Sequence, residues 1–450
     1  MFHDLFFVAF ISILLLLGFR KPFLFVLGYV YVDIVSPQRL SYYLINSVPV
    51  SLIFVVAAVL GWFLREDKSS ARFTFRQFLM VILLIDGLVM TLNAQVPDFA
   101  WAKWDWVWKA LAFAIFLPFT LRTKLRIEAL ITYMVIAVGS IIVVGGIKTL
   151  ATGGGGYGEL NLMVSNNTGL YESSIISAVA ASVIPLALYL RTHSTIFRPG
   201  WMVNLYTAGI VFACALIPVG TAARTGLICV AVLAILMLRS TKRRFLYLAG
   251  IGLLAAIVIP LLPASFTSRM NTIEGYKQDT SAFTRIEVWK WTLDYVNDHP
   301  WGGGFDAYRI NHIRYYINQP VLTDGHMESQ RTLIIDKGRA YHSSYFEMLG
   351  EAGWFGLFVW LLLHISGLIR MEILFRRFRK SRADETKWIA ALATALQQAH
   401  IVYLVGCTFV GIAYQPFIYM LVGLQIGLDS YASRLAPERE PNVSSEFATA

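Results

Sequence analysis

Cysteine is scarce in this sequence of 450 residues. The chain has three cysteines, all inside apolar runs and without a CxxC spacing: Cys214, Cys229 and Cys407. A disulfide scaffold needs several spaced pairs and a cysteine metal site needs close ligand spacing, so both classes are excluded. We expect the three side chains to be buried as small apolar groups.

Charge is also scarce, and its scarcity excludes a soluble protein. Asp, Glu, Lys and Arg make up 15% of the chain, whereas soluble domains carry about 25%. Hydrophobic residues make up 57%, and the mean hydropathy is +0.60. Such a chain must place most of its surface in lipid, and we predict an all-α polytopic integral membrane protein.

Thirteen apolar segments are candidate membrane spans, since a helix needs about 20 mostly apolar residues to cross the bilayer. We predict about twelve crossings, because the pairs 5–19/22–35 and 388–406/409–428 can each form one bent or half-membrane unit. The first segment lacks a basic region and a cleavage site, so we expect a retained span rather than a signal peptide. The segments are 5–19, 22–35, 48–64, 77–93, 107–119, 127–147, 173–190, 203–219, 225–239, 244–262, 346–369, 388–406 and 409–428.

Lysine and arginine are distributed unequally between the alternating gaps. With the N-terminus outside, 24 of the 38 basic residues fall in the gaps assigned to the cytoplasm, and the short outer gaps hold almost none. This bias is the signal that orients membrane proteins. The net charge of +10 is therefore mostly topological, and no nucleic-acid partner is expected, because no soluble basic module remains.

One segment, 263–345, is large enough to form a structured loop, and the orientation places it on the periplasmic face. Ile286, Trp289, Leu293 and Val296 recur there at spacings of three and four. This spacing predicts an amphipathic helix with these four residues on its apolar face.

Two arginines on the outer face are candidates for anion binding. Arg224 precedes the ninth span and is either a snorkelled interface residue or an anion clamp. Arg285 opens the predicted helix, where a bound anion or a carboxylate such as Glu287 or Asp279 would offset its unfavourable position in the helix dipole. Guanidinium groups bind phosphate bidentately, so two of them make a good diphosphate site.

His342 lies where the loop re-enters the membrane. Imidazole can take a proton near neutral pH, although a single interfacial histidine can equally be a hydrogen-bonded structural residue. Gly350, Gly353 and Gly356 follow at a spacing of three and allow close helix packing behind it. The other polar loop residues lack tight ligand spacing, so no metal site is expected: His299, His312, His326, Asp298, Asp306 and Asp324.

Two further features have weaker interpretations. Asp86 lies inside the fourth span, where a carboxylate is either functional or part of a structural ion pair. A run of tryptophans and lysines is typical of an aromatic belt that anchors the protein at the outer surface: Trp101, Lys103, Trp104, Trp106, Trp108 and Lys109.

Three stretches together resemble the bacterial O-antigen ligase family, within the O-antigen ligase/polymerase superfamily. They are Ala223-Arg224-Thr225-Gly226; Arg285 with Trp289 and the Pro300-x-Gly-Gly-Gly turn; and the block His342-Ser343-Ser344-x-x-Glu347-x-Leu349-Gly350-Glu351-x-Gly353. The resemblance covers about 204–362. The N-terminal half is similar to members described as exosortase-associated O-glycosylation ligases.

The resemblance implies a C-type glycosyltransferase architecture of about twelve spans in the bacterial inner membrane, with its active site facing the periplasm. It implies transfer of a glycan from undecaprenyl diphosphate to a hydroxyl of lipid A-core, without metal or cofactor. Arg224 and Arg285 would bind the donor diphosphate and His342 would act near the acceptor hydroxyl. Tyr341, Glu347 and Trp289 would support the site.

The domain division follows from the same resemblance. We assign 1–203 to N-terminal transmembrane helices, 204–362 to the ligase core with its periplasmic loop 263–345, and 363–450 to C-terminal transmembrane helices and a cytoplasmic tail. One candidate base without an obvious nucleophilic carboxylate favours inversion at the anomeric carbon. O-antigen polymerisation, protein O-glycosylation and, more distantly, lipid-linked sugar transport remain alternatives.

Overall fold

The structure is a computed structural model. It describes residues 2–41, 43–69, 71–152, 170, 172–239, 280–323, 326–381 and 384–435. The predicted span 244–262, Asp279 and Asp324 lie outside the described residues.

The described residues form fourteen α-helices, one short 3-10 helix and one two-stranded sheet. The helices are α1 (Phe2–Arg20), α2 (Phe23–Val35), α3 (Pro37–Leu40), α4 (Val50–Arg65), α5 (Phe75–Leu92), α6 (Pro97–Thr120), α7 (Lys124–Thr152), α8 (Ser173–His193), α9 (Trp201–Gly220), α10 (Arg224–Leu238), α11 (Thr280–Asp298), α12 (Ser344–Phe378), α13 (Asp384–Cys407) and α14 (Pro416–Arg434); the 3-10 helix is Ala307–Ile310, and the strands are β1 (His312–Thr323) and β2 (His326–Lys337).

The helical membrane-protein class predicted from composition is confirmed. Among the described residues, six helices are long and apolar enough to cross a bilayer, and three shorter helices are also apolar: α2, α4 and α10. The number of twelve crossings stays a prediction. The two sequence pairs proposed as bent units are four distinct helices, α1 with α2 and α13 with α14.

Helix α8 lies at the centre of the bundle. It packs against α7, α9, α10 and α13, and its residues 173–187 are all buried. Small side chains along it, such as Ser177, Ala181 and Ser182, let neighbouring helices approach closely, which is how helices associate in a membrane. The three cysteines are free and buried, as predicted.

The helix predicted in the outer loop is present as α11, and Val296 of its predicted apolar face is buried, but two other residues of that face are not. Ile286 and Leu293 are exposed, at 46% and 41%. The buried stripe runs through Thr284, Val288, Thr292 and Val296. Its partner explains the difference, because Val288 packs in a small second core with Ile313 and Tyr315 of β1 and with Tyr341.

The two strands form an antiparallel hairpin, which the sequence interpretation missed. They pair without interruption from His312 opposite Lys337 to Thr323 opposite His326. At the base of the hairpin, the side chain of Asn311 donates to the carbonyl of Arg339 at 2.7 Å and accepts from its amide at 2.9 Å. The hairpin is therefore anchored beside the segment that leads to His342.

Helix α12 is broken at Gly353, whose φ of 63° is left-handed. The Pro300–Gly304 turn fills the break: Gly303 and Gly304 donate to the carbonyls of Gly350 and Glu351, each at 3.0 Å, and the amide of Trp354 donates to Pro300 at 3.0 Å. The turn thus satisfies backbone groups that a continuous helix would pair internally. Gly353 therefore breaks the helix and lets the turn approach closely, so the predicted close packing at this glycine is against a turn and not against a helix.

Candidate active site

An open cavity of about 570 Å³ lies where α6, the start of α8, the broken helix α12 and the α13–α14 connection meet. All of its titratable lining residues come from elements that are distant in sequence. They are Lys103, Glu172, Asp306, Tyr308, Arg309, Tyr341, His342, Glu347, Glu351 and Tyr414.

His342 lines this cavity immediately before α12. Its φ of 48° lies in the left-handed region, which is uncommon for residues other than glycine and often marks functional sites. Trp289 supports this backbone twice: its indole Nε1 donates to the carbonyl of Tyr341 at 2.8 Å, and its ring stacks on Phe346 with centroids 4.8 Å apart. The histidine is therefore held from both sides by α11.

The imidazole of His342 is in an environment that disfavours a second proton. Burial, together with the positive charges of Arg285 and Arg339, lowers its pKa to about 4. The side chain is therefore neutral at neutral pH, which is the form that accepts a proton.

Arg285 lies near both His342 and Glu172, close enough to influence the pKa of each. Burial raises the pKa of the Glu172 carboxyl, and Arg285 acts against that rise. The sequence predicted only that Arg285 and His342 share the outer face; the structure places the two near each other, and their roles stay a prediction. The carboxylate beside it is Glu172, whereas Glu287 pairs with Lys290 at 2.8 Å.

Arg224 is half-buried at the first residue of α10 and does not line the cavity. A tight connection precedes it, in which Thr221, Ala222 and Ala223 are buried. Gly226 lets this connection lie against α8, since a Cβ there would be 2.6 Å from the Cβ of Ser177. Arg224 therefore lies beside the first turns of α8, the helix that follows Glu172.

Lys103 is the centre of a charge cluster, not a member of an aromatic belt. Its Nζ lies 2.7 Å from Glu347, 2.8 Å from Glu351 and 3.8 Å from Asp306, and its side chain is 11% exposed. The backbone amide of Asp306 also donates to Glu351 at 2.9 Å. Trp101, Trp106 and Trp108 of the predicted belt are exposed, and their role as a belt stays a prediction.

The first turn of α12 holds the α13–α14 connection against the cavity. The hydroxyl of Ser344 donates to the carbonyl of Val410 and accepts from the amide of Ile412, both at 2.9 Å. Glu347 accepts from the amide of Ala413 at 3.0 Å. Glu347, predicted as a supporting residue, therefore connects Lys103 with this segment.

Tyr341, the other predicted supporting residue, is buried directly behind His342. Its hydroxyl fits against Gly350, where a Cβ would lie 2.3 Å from the phenol oxygen. That hydroxyl has no hydrogen-bond partner among the described residues. Any side chain at position 350 would displace the tyrosine.

The sequence interpretation missed five of the cavity's charged groups or gave them another role: Lys103, Glu172, Asp306, Arg309 and Glu351. The sequence did contain one signal for this site. Arg309 is one of the basic residues of the outer loop, and these residues depart from the preference of lysine and arginine for the cytoplasmic gaps. Arg309 lies over the ring of Phe99, 3.6 Å from its centroid. Four carboxylates line the cavity, so the sequence argument for inversion from a missing carboxylate no longer holds.

Asp86, another residue singled out in the sequence, is not among the residues that line this cavity. Asp86 lies close to Gly356, and its Oδ2 has no hydrogen-bond partner among the described residues. In the part of the chain that the structure describes, no group of three or more His, Cys, Asp and Glu side chains is arranged to hold a metal ion.

Two family models match the chain. Residues 2–195 match a family of unknown function, and residues 209–361 match the O-antigen ligase family. A comparison with curated proteins gave no match. The resemblance of the N-terminal half to exosortase-associated ligases stays a prediction, whereas the main resemblance is confirmed: the segment from residue 209 to residue 361 belongs to the O-antigen ligase family.

Proposed function

We propose that this protein transfers a glycan from undecaprenyl diphosphate to a hydroxyl of lipid A-core. The site would face the periplasm of a bacterial inner-membrane protein with about twelve spans, and the reaction would need no metal or cofactor. The family of residues 209–361 supports glycosyl transfer in general, and the proposed ligase core is 204–362.

The observation that carries the proposal is a neutral His342 in an open cavity beside Arg285. A hydroxyl acceptor needs a base, and neutral imidazole supplies one. The acceptor oxygen would form a bond to the anomeric carbon while the bond from that carbon to the diphosphate breaks. The leaving group would take the electron pair, and His342 would take the hydroxyl proton.

The diphosphate would be held by Arg224 and Arg285. Guanidinium groups give two parallel hydrogen bonds to phosphate, and they would stabilise the charge that develops on the leaving oxygen. We expect the carboxylates around Lys103 on the other wall to accept hydrogen bonds from sugar hydroxyls.

Inversion at the anomeric carbon remains our proposal, because direct attack by the acceptor needs only the base. The carboxylate of Glu172 offers a competing route, since a nucleophilic carboxylate would give retention by two displacements. The anomeric configuration of the isolated product decides between them. If the wild-type product retains the anomeric configuration and Glu172→Gln abolishes this retaining transfer, a double displacement through Glu172 would replace the single-displacement proposal.

The test of function is expression in a host that lacks its own O-antigen ligase. We expect a ladder of high-molecular-weight lipopolysaccharide on a gel, lost in His342→Ala and kept in His312→Ala, an exposed histidine of the same loop. His342→Ala should still bind donor, because the arginines remain. A ladder from His342→Ala at the wild-type level would refute the base assignment.

The donor site is tested with Arg224→Ala, Arg285→Ala and the corresponding lysine variants. We expect weaker donor binding in the alanine variants and partial rescue by lysine, which lacks the bidentate geometry. Full rescue by lysine at both positions would argue against a diphosphate clamp.

The same experiment distinguishes three rival functions. Glycosylated protein without a ladder would favour a protein O-oligosaccharyltransferase, and longer lipid-linked chains would favour a polymerase. A transporter would move lipid-linked sugar without forming a new glycosidic bond.

A further inference from the structure

A second polar cavity lies at the end of the bundle opposite the candidate active site. It has a volume of about 240 Å³ and lies where the start of α5 meets Arg370 of α12 and the end of α14. Three arginines and one aspartate contribute its charges: Arg72, Arg370, Arg434 and Asp429. The active-site cavity is lined by Glu351 near the start of α12 and by Gln415 just before α14, whereas this cavity is lined by residues near the ends of the same two helices. The two cavities are therefore separate.

The cations of this cavity exceed its anions. Asp429 is already shared, since it accepts two hydrogen bonds from Arg370 at 2.7 and 2.9 Å and one from the buried Arg76 at 3.3 Å. Arg72 and Arg434 line the same space. With three arginines against one carboxylate, the lining has a formal charge of +2, which favours an anion.

The charge lies next to a surface that is suited to acyl chains. Phe73 lines the cavity, and an exposed apolar stripe continues from it along α5 at spacings of three, four and seven. Free phosphate in water would gain nothing from that stripe, whereas a lipid uses both parts. The stripe is Phe75, Phe78, Ile85, Val89 and Leu92.

We propose that this cavity binds the phosphate of an anionic phospholipid headgroup, with the acyl chains lying along the exposed stripe of α5. Basic pockets between helix ends are the usual headgroup sites of membrane proteins. Arg72 and Arg434 would donate to the phosphate, and Ser430 and Ser433 would contribute hydroxyl groups at its edge.

The experiment uses the full-length protein in detergent and measures bound lipid by native mass spectrometry. Phosphatidylglycerol and phosphatidylcholine are supplied at equal concentration. We expect the wild type to prefer phosphatidylglycerol and the double variant Arg72→Ala/Arg434→Ala to lose at least about tenfold in affinity for it. The matched control is Arg377→Ala/Arg379→Ala, which removes two exposed arginines at the end of α12 outside the cavity.

The lipid is distinguished from free phosphate by adding millimolar inorganic phosphate. We expect phosphatidylglycerol to stay bound, because its chains contribute to binding. Complete displacement by phosphate would overturn the lipid proposal in favour of a soluble anion. Equal retention of phosphatidylglycerol by the double variant and the control would overturn the site itself. Both variants should keep the wild-type melting temperature, since exposed substitutions change stability little.

Discussion

The ammonium group of Lys103 donates to the carboxylate of Glu351 at 2.8 Å, although the two residues are 248 positions apart in the chain. This contact connects α6 with the short helical piece that follows His342. Glu351 is fully buried. A carboxylate in such a place needs a cation beside it, because the desolvation of an unpaired charge is costly.

We therefore predict that Lys103→Met destabilises the protein strongly. Removal of one partner from a buried ion pair costs about 3–5 kcal/mol, and here three carboxylates would lose their shared cation. Lys109→Met is the matched control on the same helix, since its pair with Asp105 is exposed and such pairs contribute about 0–1 kcal/mol. Thermal unfolding in detergent measures both, and equal melting temperatures would contradict the prediction.

The pKa of His342 predicts two different acid limbs in the pH dependence of transfer. In the free enzyme the imidazole charges only below about pH 4, so kcat/KM should fall as the pH drops through about 4 and not near 6.5. The bound diphosphate adds negative charge beside the imidazole, which raises its pKa. The limb of kcat should therefore lie at higher pH than that of kcat/KM.

Arg285→Gln tests the cause of that low pKa. Loss of a nearby positive charge removes part of the repulsion of the imidazolium, so the acid limb of kcat/KM should move to higher pH. Arg314→Gln, an exposed β1 position, is the control and should leave the limb unchanged. If the acid limb of kcat/KM does not move in Arg285→Gln, Arg285 does not influence the pKa of His342.

Trp289 is predicted to act as a positioning residue for His342. Trp289→Phe keeps an aromatic ring against Phe346 but removes the donor to the carbonyl of Tyr341. We expect a lower kcat with little change in KM for the donor, because the arginines are untouched. Trp301→Phe, at an exposed tryptophan, should leave both constants unchanged; a rise in KM alone for Trp289→Phe would point to substrate binding instead.

Gly353→Ala should destabilise the protein, whereas Gly209→Ala should not. A Cβ at position 353 would lie 2.0 Å from the carbonyl oxygen of Pro300, and the backbone conformation there, with φ 63° and ψ −163°, adds a cost of about 1–3 kcal/mol for any residue with a side chain. Nothing lies within 4 Å of a Cβ at position 209, inside α9, where alanine gains about 0.5–1 kcal/mol. Comparison of the two melting temperatures checks the prediction.

The helices could be predicted because their signals are local, in runs of apolar residues and in the charge bias between them. The buried face of α11 could not be predicted in the same way, because it is determined by the hairpin that covers Val288, and that contact is tertiary rather than local. The hairpin itself had a local signal that was overlooked: Asp324-Gly325 separates two β-rich runs, and such a pair is typical of a two-residue hairpin turn.

The site was predicted only in part for a related reason. His342 and Arg285 belong to compact motifs in one stretch of the chain. Glu172, Lys103 and the α13–α14 connection reach the cavity from far outside that stretch. Their side chains carry no unusual spacing, and only the packing of α6, α8 and α12 makes them neighbours.

The uninterrupted register of the hairpin has a consequence for how the loop can vary in length. Each residue of β1 faces one residue of β2, so the loss of a facing pair near the outer end shortens the hairpin and leaves Asn311 and Arg339 paired at its base. The loss of a single residue from one strand would reverse the orientation of the side chains beyond it. Related chains should therefore differ in this hairpin by even numbers of residues.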